Sequence, residues 1–160
     1  MKIIVLSDTH IPDKGDDLPT VVMKECMEAD MIIHAGDFTS LEFYNKLKKI
    51  KPLKAVLGNM DCCPLRDILK DKETFEIQKY KIGLMHGFGA PNNILDNVQK
   101  SFNENFDLII FGHSHAAISK KRGKTLFFNP GSCTDKIFTD YNSFGIIEIN
   151  KSIKAHIVKL

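Results

Sequence analysis

Seven side chains of this 160-residue chain are Lewis bases of the kind that bind metal ions, and they fall at five places: Asp8 with His10, Asp37, Asn59, His86, and His113 with His115. The set holds four imidazoles, two carboxylates and one amide, with no thiolate. Such donors suit Mn, Fe, Co, Ni or Zn better than calcium or an all-oxygen magnesium site, and they exclude a Cys-rich structural zinc. Seven donors are too many for one tetrahedral ion. They fit two divalent ions sharing a bridging carboxylate, an arrangement that clamps the attacking and leaving oxygens of a phosphoryl displacement. Singly, each motif says little, since Gly36-Asp37 reads as a turn and one Asp-x-His or His-x-His arises by chance. Five places together, in a chain with six histidines, point to one site.

The elements that must gather these residues are read from apolar periodicity. Apolar runs at 3–6, 31–33 and 53–57 alternate with helix-like stretches at 18–28 and 41–49, predicting strand, helix, strand, helix, strand. Further strands are expected at 74–78, 82–85 and 108–111, with a helix over 94–102. After His115, short runs at 117–119, 126–129, 144–149 and 153–158 are divided by Arg122-Gly123, Asn129-Pro130-Gly131 and Asn150-Lys151 turn signals and read as a meander. Short continuous apolar runs between amphipathic helices predict strands buried on both faces, hence a layered α/β fold. In such folds ligands collect outside the carboxyl ends of the strands, and nearly every candidate donor follows an apolar run. Asp8-Thr9-His10 and His113-Ser114-His115 place their donors two residues apart, where extended backbone points both to one side. Glycines precede Asp37, Asn59 and His113, which permits unusual dihedrals and close backbone approach.

Bulk properties narrow the function classes. A chain of this length fits a single domain, residues 1–160, that buries roughly two-thirds of its unfolded surface. With 43% hydrophobic and 26% charged residues it has an ordinary globular composition. The net charge, 22 − 20 = +2, is too small to draw nucleic acid or anionic membrane over long range, so phosphate binding must be local. Neither a signal-peptide core nor a spanning helix opens the chain, so a cytoplasmic location is expected. The spacing of Cys26, Cys62, Cys63 and Cys133 suits neither a disulfide framework nor a zinc site, so free thiols are expected, with a redox role for Cys62-Cys63 left open. Ser40 is placed to cap the helix over 41–49, and Lys46, Lys48 and Lys49 complement its carboxyl end. Lys120-Lys121-Arg122-Gly123-Lys124 reads as a solvated hairpin tip and His156 as part of a surface strand. A homo-oligomer is compatible with the sequence.

Taken in order, Asp8-Thr9-His10, Gly36-Asp37, Gly58-Asn59-Met60-Asp61, His86 and Gly112-His113-Ser114-His115 resemble the calcineurin-like metallophosphoesterase superfamily. The short chain, with Asn129-Pro130-Gly131-Ser132 after the motifs, is similar to the small bacterial and archaeal phosphodiesterases of that group. The resemblance implies a two-sheet β-sandwich flanked by helices, an α/β fold in αββα layers. It implies that Asp8, His10 and His115 hold one ion, that Asn59, His86 and His113 hold the other, and that Asp37 bridges, with manganese the first expectation for the metal. It further implies hydrolysis of a small phosphodiester by in-line attack of a metal-bound hydroxide, with Asp8, Asp37, Asn59 and His113 central to catalysis. Asn59 and Arg66 are candidate substrate contacts, although an exposed arginine is the better account of Arg66. Asp61 either orients a ligand or serves a turn, and His34 is expected to be buried beside the site rather than to bind metal.

One position departs from the wider superfamily. Many members carry, directly after the asparagine, a histidine that protonates the leaving group; Met60 stands there. A positioned general acid is worth about 10² to 10⁴ in rate, so good leaving groups, such as those of aryl phosphodiesters, are expected to be favoured. The alternatives are a non-catalytic scaffold, since the superfamily includes a retromer trafficking subunit on this fold, a phosphomonoesterase, or a nuclease. The weak net charge and the lack of a row of aromatics disfavour the nuclease.

Overall fold

A computed structural model describes residues 1–160. Its elements are β1 (Lys2–Leu6), α1 (Thr20–Glu28), β2 (Met31–His34), α2 (Leu41–Ile50), β3 (Leu53–Ala55), α3 (Cys63–Arg66), β4 (Lys72–Ile77), β5 (Tyr80–Met85), α4 (Ile94–Lys100), β6 (Leu108–Ile110), β7 (Ile118–Arg122), β8 (Thr125–Asn129), β9 (Ser143–Ile149) and β10 (Ile153–Lys159). They build two mixed five-stranded sheets, ordered β10-β9-β1-β2-β3 and β4-β5-β6-β8-β7. In the first, β1 pairs in parallel with β2, Ile3 opposite Met31, and antiparallel with β9, Ile3 opposite Ile147. In the second, β6 lies between β5 and β8, parallel to both.

Alternation along the strands sorts side chains into layers. Ile3 and Val5 of β1 join Ile33, Leu84, Ile110, Phe128 and Ile147 in a core between the sheets. Ile4 and Leu6, pointing the other way, pack with Val22 and Cys26 of α1 and Phe43 and Leu47 of α2. The outer face of the second sheet, through Ile109 and Phe127, is covered by Ile94, Leu95 and Val98 of α4. Both faces of the central strands are therefore dry, as the continuous apolar runs require, while the edge strands β4, β7 and β10 keep exposed residues. The layers are helix, sheet, sheet, helix, the architecture the resemblance implies. Ser40 Oγ accepts from Phe43 N at 3.2 Å and Lys48 and Lys49 end α2, so this helix is capped as expected. No helix is long and apolar enough to cross a membrane.

Three expectations are corrected. The carboxyl-terminal region is not a meander: β7 and β8 form a hairpin in the second sheet, while β9 and β10 cross to the first. Turn signals locate hairpins but not the sheet each joins, which core packing decides. The first helix starts at Thr20 rather than Leu18 because Pro19, extended at ψ 140°, stands at its cap. The third strand ends at Ala55 rather than at Leu57, because Leu57 N turns to Lys70 O, 2.9 Å away, as the chain leaves the sheet toward Asn59.

Candidate metal centre

All seven candidate donors lie just beyond the carboxyl ends of strands, Asp8 and His10 after β1, Asp37 after β2, Asn59 after β3, His86 after β5, and His113 and His115 after β6. Within each sheet these strands run parallel to one another, β1 with β2 and β3 in the first and β5 with β6 in the second, so that their carboxyl ends open on one edge of the sandwich. Two groups of donors result. Asp8, His10 and His115 form one and Asp8, Asp37 and His86 the other, the donor atoms of each lying within 4.8 Å of one another. His115 Nε2 stands 3.4 Å from Asp8 Oδ1 and 3.4 Å from His10 Nε2. Asp37 Oδ2 lies 3.3 Å from His86 Nε2 and 3.6 Å from His10 Nε2, so this carboxylate reaches both sides. Asn59 Oδ1 completes the set, 3.1 Å from His86 Nε2 and 3.0 Å from His113 Nδ1.

The paired donors face one site for a reason different from the expected one. Asp8, His10, His113 and His115 are not extended: their φ values are 53°, 45°, 69° and 55°, and Asp37 adopts 60°. Non-glycine residues rarely take this left-handed conformation, which costs about 1–3 kcal/mol each and persists where surrounding structure enforces it. The sharp turns are enforced by the packing of loop against loop. Ser132 Oγ donates to Asp8 O at 2.7 Å and Thr134 Oγ1 to Thr9 O at 2.6 Å, while Asn129 Nδ2 donates to Gly112 O at 2.9 Å. The Asn129-Pro130-Gly131-Ser132 segment thus stitches the first and fifth donor loops together. Of the three glycines, Gly36 takes a φ of 95°. Gly112 answers to close approach instead: a Cβ there would overlap Ser7 Oγ and come within 2.7 Å of Asp8 Oδ2.

Each ring nitrogen pointing inward is selected by the partner of the other. His86 Nδ1 lies 2.7 Å from Ala35 O, an acceptor only, so it carries the proton and leaves Nε2 to the site. His113 Nε2 is held by Gly89 O at 3.1 Å, which turns Nδ1 inward. His115 Nδ1 bonds to the buried Asp135 carboxylate, leaving Nε2 to face Asp8. Such outer partners fix ring orientation and raise ligand basicity.

The electrostatics suit a cation. Burial of His86 disfavours its protonation, but the hydrogen bond it donates to Asp37 and the charges of Asp8 and Asp37 outweigh it and raise its pKa to about 9. Burial likewise pushes Asp37 up, yet His86 and the Met60 N–H, 2.7 Å from Oδ1, hold it below its ordinary value. His10 goes the other way, its burial outweighing the pull of Asp37 and Asp8. Two buried carboxylates that draw a proton onto the inward nitrogen of His86 form a donor set in which a divalent metal ion can take that proton's place.

The remaining candidates sort cleanly. Asp61 is buried and accepts from Gly58 N at 2.7 Å, Asp37 N at 3.2 Å and Thr39 N at 2.9 Å, pinning the Asn59 loop to the Asp37 loop. His34, fully buried, stacks on Phe38 at 3.6 Å and bonds Thr9 Oγ1 at 3.0 Å, beside the site and outside it. Arg66 is exposed and donates to Asn59 O at 3.3 Å, bracing that loop. Met60 points its side chain to solvent. All four cysteines are free. Asp135 escaped the sequence reading because a lone aspartate in a loop has no periodicity or spacing to mark it.

A layered sandwich carrying such a centre at its strand ends defines a class of metal-dependent phosphoesterases. The chain belongs to the calcineurin-like phosphoesterase superfamily, whose domain matches residues 1–152. It is 31% identical over 160 residues to a probable metallophosphoesterase of Methanothermobacter thermautotrophicus, covering 99% of this chain and 92% of that one. It is 29% identical over 176 residues to a phosphodiesterase of Methanocaldococcus jannaschii, covering 99% of both. Among solved structures, Vps29 of Entamoeba histolytica complexed with zinc superposes with a TM-score of 0.75 at 27% identity, covering 99% of both chains.

Proposed function

We propose that the chain is a dinuclear-metal phosphodiesterase that hydrolyses a small phosphodiester by in-line attack. The observation that carries this reading is the inward selection of ring nitrogens: His86 Nε2 and His115 Nε2 face the Asp8 and Asp37 carboxylates and His113 Nδ1 faces Asn59 Oδ1, each because its opposite nitrogen is engaged elsewhere. Asp8, His10 and His115 would hold one ion, Asn59, His86 and His113 the other, and Asp37, whose Oδ2 reaches both sides, would bridge. Two divalent ions, manganese first among those to be tried, would supply Lewis acidity toward the phosphoryl oxygens and an activated water. The protein's own part is to fix donor directions, through Ala35, Gly89, Asp135 and Met60 N–H, and to brace the Asn59 loop through Asp61 and Arg66. The kinship with a named phosphodiesterase supports the diester reading.

Met60 offers no proton to a departing alkoxide, and its backbone N–H is already engaged by Asp37. Aryl diesters are therefore expected to turn over faster than simple alkyl diesters by about 10² or more. Metal-dependent release of nitrophenolate from bis-p-nitrophenyl phosphate, beside the p-nitrophenyl monoester, is the test, repeated with Asp37→Asn. Activity with some divalent metal, abolished by that substitution, is expected. No activity with any metal favours the second reading, a protein-binding scaffold, which the likeness to Vps29 supports.

A further inference from the structure

Eight large apolar side chains are exposed, and four of them, Met60, Phe88, Ile137 and Phe138, stand on the loops that carry or support the metal centre. These three loops are tied by backbone groups to an inward-facing donor or to the residue that holds one. Met60 N donates to Asp37 Oδ1 at 2.7 Å. Gly89 O, next to Phe88, accepts from His113 Nε2 at 3.1 Å. Phe138 N donates at 3.2 Å to Asp135 Oδ2, the oxygen that also meets His115 Nδ1. The backbone at Met60, Phe88 and Phe138 is thus fixed by the centre's own scaffolding, next to His113 for Phe88 and beside His115 for Phe138.

Phe138 is the best held of them. Its ring meets His115 edge to face, centroids 5.7 Å apart at 90°, and Lys14 Nζ lies 5.2 Å from its centroid, yet the residue is 68% exposed. Lys14 is itself directed by Asp135 Oδ1, 3.5 Å away. An aromatic ring fixed beside a phosphoryl site with most of its surface open is a platform for a flat group carried by the substrate. Phe88, 53% exposed, offers a second on the other side.

Resting on the phosphodiesterase reading above, we infer that the substrate is a phosphodiester bearing a flat aromatic ring on the ester group that is retained, with Phe138 its platform and Phe88 a second specificity residue. A nucleobase and a simple aryl group share this chemistry. Methyl, phenyl and thymidine diesters of p-nitrophenol release the same leaving group, so leaving-group effects cancel between them. The phenyl or thymidine ester is expected to exceed the methyl ester in kcat/KM by about tenfold; thymidine above phenyl marks a nucleobase, and equality marks any aryl ring. In Phe138→Leu the ratio to the methyl ester falls toward one, and Phe88→Leu lowers it less. A wild-type ratio near one, or a ratio untouched by Phe138→Leu, overturns the inference. Failure of all three esters to react is failure of the enzymatic reading alone, because calorimetric binding of phenylphosphonate against methylphosphonate to the metal-loaded protein then decides. Tighter phenylphosphonate binding lost in Phe138→Leu sustains the platform, and equal binding overturns it.

Discussion

Asp135 carries more of the centre than its place in an unpatterned loop suggests. Its carboxylate meets His115 Nδ1, accepts from Ile137 N at 2.9 Å and Phe138 N at 3.2 Å, and draws Lys14 to 3.5 Å. Burial alone would raise its pKa, but the Ile137 N–H and His115 hold it below the usual carboxylate value, so it stays an acceptor. Removing the charge while keeping the shape should loosen the ring it orients. Asp135→Asn is expected to weaken metal binding by about 10- to 100-fold, the range seen when an outer partner of a ligating histidine is lost. Calorimetric titration with manganese checks it, and unchanged affinity would show that the left-handed turn at His115, φ 55°, orients the ring unaided.

At the scale of elements, the loops after β1 and β6 are pressed together so closely that no side chain fits between them. Gly112 meets Ser7 and Asp8 where a Cβ would stand, and His113 N donates to Asp8 Oδ2 at 3.0 Å across the same gap. Neither loop can retreat cheaply, because Asp8 is buried and Ser132 and Asn129 hold both from behind. Gly112→Ala is therefore expected to destabilise the fold by about 3 kcal/mol, the upper part of the range for overpacking, and to displace Asp8. Denaturant unfolding with added metal measures the first effect and loss of metal-dependent protection the second. Glycine before a candidate donor was legible in the sequence. That Gly36 serves a left-handed φ as well as close contact, while Gly112 serves contact alone, was not, since both uses leave the same letter.

At the scale of the whole molecule, the packing of α2 and β2 around the centre sets an acid limit on stability. His34 is fully buried against Phe38 and Phe43, and Gly36 N donates to its Nδ1 at 3.2 Å. Burial first, and then the neighbouring His86, lower its pKa well below the ordinary value of 6.5. Below that value the unfolded chain takes up a proton that the folded chain refuses. Stability is thus complete above about pH 6.5 and lost as pH falls toward the folded pKa, by about 1.4 kcal/mol per pH unit for this group. In chelated protein, the pH dependence of unfolding free energy between pH 6.5 and 5 should be shallower in His34→Gln by that amount. Equal slopes would show that His34 is not what limits the fold in acid.

The sequence by itself determined most of the elements and named the candidate donors. Hydrophobic period is a local property, so β1, β2, α2 and β5 were legible to within a few residues, and the donors were legible because each follows a strand whose end is marked by the close of an apolar run. Tertiary structure alone decided the rest. Sheet membership of β7 to β10 depends on which core each hairpin can close, and this is settled by packing between residues far apart in the chain. The left-handed turns at Asp8, His10, His113 and His115 exist only because loops from both sheets meet at one edge. Asp135 finds His115 twenty positions upstream, and Phe138 is set beside the centre, through that same meeting of loops. A pattern in sequence records what a residue needs from its near neighbours. What His115 needs from Asp135 is orientation across space, and only the folded chain supplies it.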